Sequence, residues 1–290
     1  MMDGCGPTYA QSHRAVPALV EGKEPGVAEA ERSLVLWDID RTLLYVGEID
    51  RQVYRETFAE IVGYPVERLP ARGTGVTMPL AIRAMLMENG VPEGRVPELL
   101  PLMIELLPKR LAAHHADLRQ HGKLMPGAVA ALRALQAKAD LIPTVVTGNL
   151  KANAMLKLAA FDLESFVDSE IGGYASDDHH RPALVGIAQK RAQAKYGHFF
   201  DHSNSVIIGD SLEDVRTGRD GGGVPVIGIA SGTTSAAELE RAGANVVLRT
   251  LEDVERLETA ITELLSSRVA VTSSTHPSGG PTRARLDPGW

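Results

Sequence analysis

The chain has 290 residues, of which 44% are apolar and 23% are charged. These values are ordinary for a globular protein and argue against a disordered chain, a collagen and a coiled coil. The 37 acidic residues outnumber the 30 basic ones, giving a net charge of −7 that disfavours a nucleic-acid-binding surface. Cys5 is the single cysteine, so neither an intrachain disulfide nor a cysteine-based zinc site is possible. With no apolar stretch of membrane-spanning length and no secretory signal, we expect a cytoplasmic protein without a membrane partner.

Two terminal segments differ in composition from the rest of the chain. Residues 1–31 are rich in Gly, Pro, Ala and Glu without sustained periodicity, which predicts a mobile arm. Residues 267–290 are rich in Ser, Thr, Pro and Gly, which predicts a disordered tail.

Between these segments, short apolar runs alternate with helical patterns. This alternation predicts an α/β fold with a Rossmann-like parallel sheet, covered by helices on both faces. Apolar runs predict strands at Leu34–Trp37, Ile142–Val146, Ser205–Ile208, Val224–Ile229 and Asn245–Leu248. Helical spacing predicts helices at about Gly127–Ala137, Leu150–Ala160, Ala183–Ala194, Glu213–Asp220, Ala236–Ala242 and Glu252–Leu265.

The interval 48–123 has helical patterns and no convincing strand. Helical spacing covers Val53–Ile61 and Met78–Asn89, and a third helical region is punctuated by three prolines. We therefore predict a small all-helical domain inserted after the first strand, with a core made of residues 32–47 and 124–266. The alternative is that these helices belong to the main helical layer.

Polar residues follow three of the predicted strands. Asp38 and Asp40 follow the first, Thr147 the second and Asp210 the third. In open α/β sheets, ligands bind beyond the carboxyl ends of the strands, so these side chains are candidates for one site. Asp38 and Asp40 point to the same side of an extended chain, and two close carboxylates need a proton or a cation between them. Together with Asp210 they offer only oxygen ligands, which suits Mg²⁺ better than zinc.

Three segments resemble the haloacid dehalogenase (HAD) superfamily of aspartate-nucleophile phosphotransferases: WDIDRTLL, VVTGN and IIGDSLED. The resemblance extends from about Leu34 to Leu265 and is greatest to the phosphoglycolate-phosphatase-like branch. It implies a helical cap domain at 48–123. It also implies a Mg²⁺-dependent phosphatase that acts on a small phosphorylated metabolite. Within the cap, Gly75-Val76-Thr77-Met78 lacks the Arg and Asp common in phosphoglycolate phosphatases, which disfavours phosphoglycolate itself as substrate.

The resemblance also implies roles for individual residues. Asp38 would be the nucleophile that forms an aspartyl-phosphate, and Asp40 the general acid and base, its backbone carbonyl also binding the metal. Asp210 would complete the metal site together with Asp214 as a ligand or supporting residue. The phosphoryl oxygens would be bound by the Thr147 hydroxyl, by the backbone N–H groups of Gly148 and Asn149, and by Arg181 in place of the usual Lys.

Two other functions stay open from the sequence. A phosphomutase of the same fold would return the phosphoryl group to its product, and no feature excludes it. A non-catalytic metabolite-binding protein is disfavoured by the intact Asp38, Asp40, Thr147 and Asp210. One departure from the family is Arg41, which stands where the family usually has Gly and could contact either solvent or substrate.

Overall fold

The computed structural model describes residues 32–273, with side chains described up to residue 266. The predicted arm at 1–31 and the last part of the predicted tail lie outside the described residues. Eight strands are present in the described part: β1 (Ser33–Trp37), β2 (Leu44–Tyr45), β3 (Lys123–Leu124), β4 (Leu141–Thr147), β5 (Gly173–Tyr174), β6 (Ser205–Gly209), β7 (Val226–Ile229) and β8 (Val246–Leu248).

Six of these strands form one parallel sheet in the order β5-β4-β1-β6-β7-β8. Apolar residues of β1 alternate between the two faces. Val35 and Trp37 pack into one buried cluster, while Leu34 and Leu36 pack into the other. Both faces are therefore covered, as expected for a parallel sheet, and the predicted α/β fold class is confirmed.

Sequence patterns missed the strands that are only two residues long. These are β5 at the sheet edge and the antiparallel pair β2 and β3. Two residues are too few to show an alternation of apolar and polar side chains.

Within residues 32–273, four α-helices lie between β2 and β3, and six follow β3. The first group is α1 (Gly47–Val62), α2 (Met78–Glu88), α3 (Val96–Ala113) and α4 (His115–His121). The second group is α5 (Ala128–Gln136), α6 (Lys151–Ala160), α7 (Ala183–Tyr196), α8 (Leu212–Asp220), α9 (Ala236–Ala242) and α10 (Val254–Ser273). Helix α10 continues seven residues into the segment predicted to be disordered, because no proline interrupts the chain until Pro277.

The prolines expected to punctuate the third helical region lie within a single helix. Pro101 and Pro108 are inside α3, where each removes one backbone donor. Along α3, one residue in each turn is buried, from Leu99 to Leu111. This apolar stripe stabilises the helix despite the missing hydrogen bonds.

The inserted helices pack on the core through α6, which contacts both α3 and α4. Their buried side chains belong to the same apolar cluster as Val35 and Trp37 of the sheet. The insertion therefore rests against the face of the sheet that carries α6. Within residues 32–273, the helices are all too short or too polar to cross a bilayer.

Candidate active site

The register of the sheet brings the predicted site residues to one edge. Trp37 at the end of β1 is aligned with Val145 of β4 and with Ile208 of β6. Asp38, the residue after Trp37, donates its backbone N–H to the Ile208 carbonyl at 2.9 Å. The residues that follow β1, β4 and β6 consequently meet beyond the carboxyl end of the sheet. This explains why Asp38 and Asp210 are neighbours although 172 positions separate them.

Three buried carboxylates form a cluster at this edge. Asp38, Asp210 and Asp214 are each at most 6% exposed, and each offers an oxygen within 4.8 Å of the others. Burial, with the nearby charge of Asp214, raises the pKa of Asp38 to about 7 and that of Asp210 to about 8. Three like charges in so small a volume repel, so the cluster requires protons or cations.

One atom of this cluster indicates which cation would fit. Asp210 Oδ1 accepts a hydrogen bond from the Thr42 hydroxyl at 3.3 Å, but its Oδ2 is buried without a partner among the described residues. An unpartnered buried oxygen beside two further carboxylates fits a divalent cation that prefers oxygen ligands. Asp40 contributes no side-chain oxygen to the cluster. Its carboxylate, expected from the two-residue spacing to share a cation with that of Asp38, contacts Lys157 on α6 instead.

Arg181 is the buried cation that touches this cluster. It is 3% exposed, and its Nη2 lies 2.7 Å from Asp38 Oδ1 and also donates to Asp214 Oδ1. Its Nη1 donates to the Gly75 carbonyl of the insertion. Lys195, a cation on the helix that follows Arg181, instead binds Asp168, and its side chain is 40% exposed. Arg181 therefore offsets part of the negative charge of Asp38 and Asp214.

Asp214 is held in place by the start of α8. Its carboxylate accepts hydrogen bonds from both the backbone N–H and the hydroxyl of Ser211, while Ser211 accepts the Asp214 N–H in return. This capping box satisfies the first turn of the helix and fixes the carboxylate that faces Arg181. Gly209 is required here, because a Cβ would lie only 2.2 Å from the Asp214 carboxyl carbon.

A second buried cation, Lys157 on α6, was missed by sequence reasoning. Its Nζ lies 2.9 Å from both carboxylate oxygens of Asp40, 2.8 Å from Asp50 Oδ2 and 2.9 Å from Asn149 Oδ1. Burial alone would lower the pKa of Lys157, but Asp40 and Asp50 outweigh it and raise the pKa. Burial raises the pKa of Asp50 to about 6, although Lys157 opposes this shift. Asp50 lies on α1, so the ammonium joins the insertion to Asp40.

The segment after β4 is organised differently from the expectation. The Thr147 hydroxyl accepts hydrogen bonds from the backbone N–H of Asn149 at 3.3 Å and from its side-chain amide at 2.9 Å. The same amide donates to Asp40 Oδ2 at 2.8 Å. The Asn149 N–H, predicted to bind phosphate, is thus directed at Thr147, and the Asn149 side chain positions Asp40 instead. Helix α6 begins at Lys151, two residues later than Asn149.

A loop of the insertion, residues 70–78, lies against the site. Met78 donates its N–H to the Gly148 carbonyl at 2.8 Å, and the Thr77 hydroxyl donates to the His179 carbonyl at 2.7 Å. Gly75 has a φ of +72°, and a Cβ there would lie 2.3 Å from Ser211 Oγ and 2.9 Å from Arg181 Nη1. The backbone of this loop therefore forms one wall of the site.

These residues surround a single cavity of about 170 Å³. Its lining includes Asp38, Asp40, Lys157, Arg181 and Asp210. The volume is below the ~300–1,000 Å³ typical of sites for drug-sized ligands, which suits a small group.

The fold is a parallel α/β core with two aspartates after its first strand. The site at the edge of this sheet is a buried cluster of carboxylates, as in an acidic hydrolase site. The chain belongs to the haloacid dehalogenase-like hydrolase family, whose model matches residues 35–219. The predicted superfamily is thus confirmed. No curated protein matches the chain in sequence.

Solved structures share the fold at low sequence identity. A phosphonoacetaldehyde hydrolase-like protein from Oleispira antarctica superposes with a TM-score of 0.58 at 20% identity, covering 84% of this chain and 95% of that one. A predicted phosphatase from Clostridium acetobutylicum gives 0.57 at 21% identity, with 80% and 99% covered. A hydrolase from Pseudomonas syringae gives 0.56 at 21% identity, with the same coverage. At these identities the likeness shows the fold.

Proposed function

We propose that the protein is a Mg²⁺-dependent phosphatase that hydrolyses a small phosphate monoester through an aspartyl-phosphate on Asp38. The observation that carries this proposal is the buried cluster of Asp38, Asp210 and Asp214, which Arg181 neutralises in part. Asp38 thus has a neighbouring cation and an acidic site for a metal, while Asp40 lies two residues further on. Family membership supports the same chemistry.

In the first step, a carboxylate oxygen of Asp38 attacks phosphorus and the bond to the leaving oxygen breaks. Asp40 gives its proton to that oxygen, so the product leaves as an alcohol. In the second step, Asp40 removes a proton from water, which attacks phosphorus and releases phosphate and the free Asp38 carboxylate. Arg181 offsets charge that accumulates on the phosphoryl oxygens.

Asp38, Asp210, Asp214 and the Asp40 carbonyl would hold the Mg²⁺. The bound ion would offset the repulsion between the substrate and the carboxylates. The two oxygens of Asp210 serve different purposes in this arrangement: Oδ1 is held by Thr42, and the unpartnered Oδ2 is available to the cation.

The insertion at 48–123 would act as a cap that selects the leaving group, above a core of residues 32–47 and 124–266. Support comes from the 70–78 loop, which lines the cavity and accepts a hydrogen bond from Arg181. The small cavity suits a small phosphorylated metabolite, and a single cysteine suits a reducing, cytoplasmic location.

Phosphate release from p-nitrophenyl phosphate, with and without Mg²⁺, tests the proposal. The wild-type protein should release phosphate with Mg²⁺ and lose this activity with a chelator. Asp38→Asn should be inactive, whereas Asp140→Asn, an exposed aspartate elsewhere, should keep normal activity. Quenched turnover should leave one phosphoryl group on the peptide containing Asp38. Release that continues in a folded Asp38→Asn protein, or after complete metal removal, would contradict the mechanism.

A further inference from the structure

Arg41 occupies an unusual place in the site. It lies between Asp40 and Thr42, and its φ of +66° is in the left-handed region that few side chains favour. Its N–H donates to the Leu44 carbonyl at 2.6 Å, and its carbonyl accepts from the Ser231 hydroxyl at 2.8 Å. A strained residue persists where its surroundings fix it, and such residues concentrate at functional sites. The backbone thus places this side chain at the cavity beside Asp40.

The Arg41 guanidinium lies over the Tyr45 ring and has no anionic partner among the described residues. Its guanidinium carbon lies 4.4 Å from the centroid of the Tyr45 ring, and both residues line the cavity. The ring is itself confined, because a Cβ on Gly47 would lie 2.5 Å from it. Within residues 32–266, the guanidinium donates to neither a carboxylate nor a carbonyl. A guanidinium that lies over a ring can still donate N–H groups to an anion.

Arg51 on α1 is a second such cation in the same cavity. Its only hydrogen bond within the described side chains is to the Pro70 carbonyl at 3.3 Å, and no carboxylate there lies within 4 Å of it. The other cations of the cavity differ in this respect. Arg181 and Lys157 each contact two carboxylates, and Arg72 pairs with Glu48. The lining of the small cavity therefore includes two arginines, Arg41 and Arg51, that have no carboxylate partner among the described residues.

We infer that the substrate's leaving group carries a second acidic group, a carboxylate or a second phosphate, which binds Arg41 together with Arg51. This inference rests on the proposed phosphatase function and names its substrate class. A planar guanidinium pairs with either anion through two parallel hydrogen bonds. The cavity of about 170 Å³ favours a short spacer between the two acidic groups.

Matched substrate pairs test the inference. Ethyl phosphate and phosphoglycolate differ in one carboxylate, and propyl phosphate and propane-1,3-diol bisphosphate differ in one phosphate. The acidic member of at least one pair should have a higher kcat/KM, and the pair that shows this identifies the second group. The ratio of interest is kcat/KM for the substrate with a second acidic group divided by kcat/KM for its partner without one. Arg41→Gln should reduce this ratio by about 10- to 100-fold, as expected for loss of one charge-assisted pair. Arg41→Gly should reduce the same ratio. Because glycine readily adopts the positive φ of this position, backbone strain in the variant does not account for that reduction.

Arg133→Gln is the matched control, because Arg133 is exposed on α5 away from the cavity lining. The ratio should be unchanged in this variant. Equal kcat/KM within both pairs, or an Arg41→Gln ratio equal to that of wild type, would overturn the inference while the phosphatase proposal stands. If neither p-nitrophenyl phosphate nor any of these four esters releases phosphate, the phosphatase proposal fails. In that case, thermal-shift titrations with the same four compounds compare their affinities. Equal affinity for the compounds with and without a second acidic group would overturn the inference as well.

Discussion

Replacement of Lys157 by Met should destabilise the protein strongly. The ammonium is 2% exposed and lies between Asp40 and Asp50, which are 35% and 22% exposed. Methionine fills similar space without the charge, so the two carboxylates would face each other without a cation. The perturbation tests whether this network is an energetic link between the insertion and the core.

The expected loss of stability follows from the burial of Lys157 and the partial burial of its two carboxylate partners. Removing one partner of a buried ion pair costs about 3–5 kcal/mol, because the other charge stays unpaired. Asp40 keeps partial access to water, so we expect the lower end, about 3 kcal/mol. In a domain of 150–250 residues this corresponds to a fall in Tm of roughly 6–12 °C.

The sign of the pH dependence gives a second check. The folded pKa of Asp50 is about 6, above its ordinary value, and loss of Lys157 raises it further. A carboxyl group whose pKa is raised by folding contributes most at low pH and loses that contribution as pH increases through the folded pKa. The Lys157→Met penalty should therefore be smaller at about pH 5 than at about pH 8.

Thermal melts followed by circular dichroism measure both effects. Lys190→Met is the matched control, because Lys190 is exposed on α7 and its replacement should change Tm little. Adding Asp50→Asn to Lys157→Met should recover part of the loss by removing one unpaired carboxylate. A Lys157→Met protein that melts within about 2 °C of wild type would refute the reasoning. So would a double variant that is no more stable than the single one.

Three further outcomes are expected. Asp38→Asn should abolish phosphate release while its circular dichroism spectrum and Tm show a folded protein. Mg²⁺ should raise Tm more at about pH 8 than at about pH 6, because Asp38 and Asp210 have raised pKa values and must lose protons to bind it; an equal rise at both pH values would argue against this site. Arg181→Ala should lower kcat by about 10²–10³, by analogy with loss of an oxyanion donor. Arg181→Lys should restore part of that rate, and a normal rate for Arg181→Ala would contradict its role.

Much of the fold and of the acidic cluster follows from the sequence alone. The strands of the sheet are apolar runs, and parallel connections place their carboxyl ends together. Because Asp38 and Asp210 each directly follow such a run, their proximity could be predicted without knowledge of the register. Arg181 could be predicted from the family resemblance, since it stands where the family usually has Lys, although only the structure shows its contact with Asp38.

The Lys157 network could not be predicted, because its partners lie on three separate elements. Its position depends on how α6 packs against the sheet and on where α1 of the insertion lies. The sequence does carry one signal: Lys157 lies three residues after Ala154 and therefore on the same helical face, and Ala154 is buried. A lysine within an apolar stripe needs a buried partner, but helical spacing alone does not identify it.

Each of the two aspartates in the loop after β1 contacts a buried cation that also contacts the insertion. Asp38 contacts the buried Arg181, which also donates to the Gly75 carbonyl of the insertion. Asp40 contacts the buried Lys157, which also binds Asp50 of the insertion. Each cation would lose a hydrogen-bond acceptor if the insertion moved away, and a buried cation with fewer partners is less stable. The charge environment of both carboxylates therefore depends on the position of the insertion, and movement of the insertion would alter both at once.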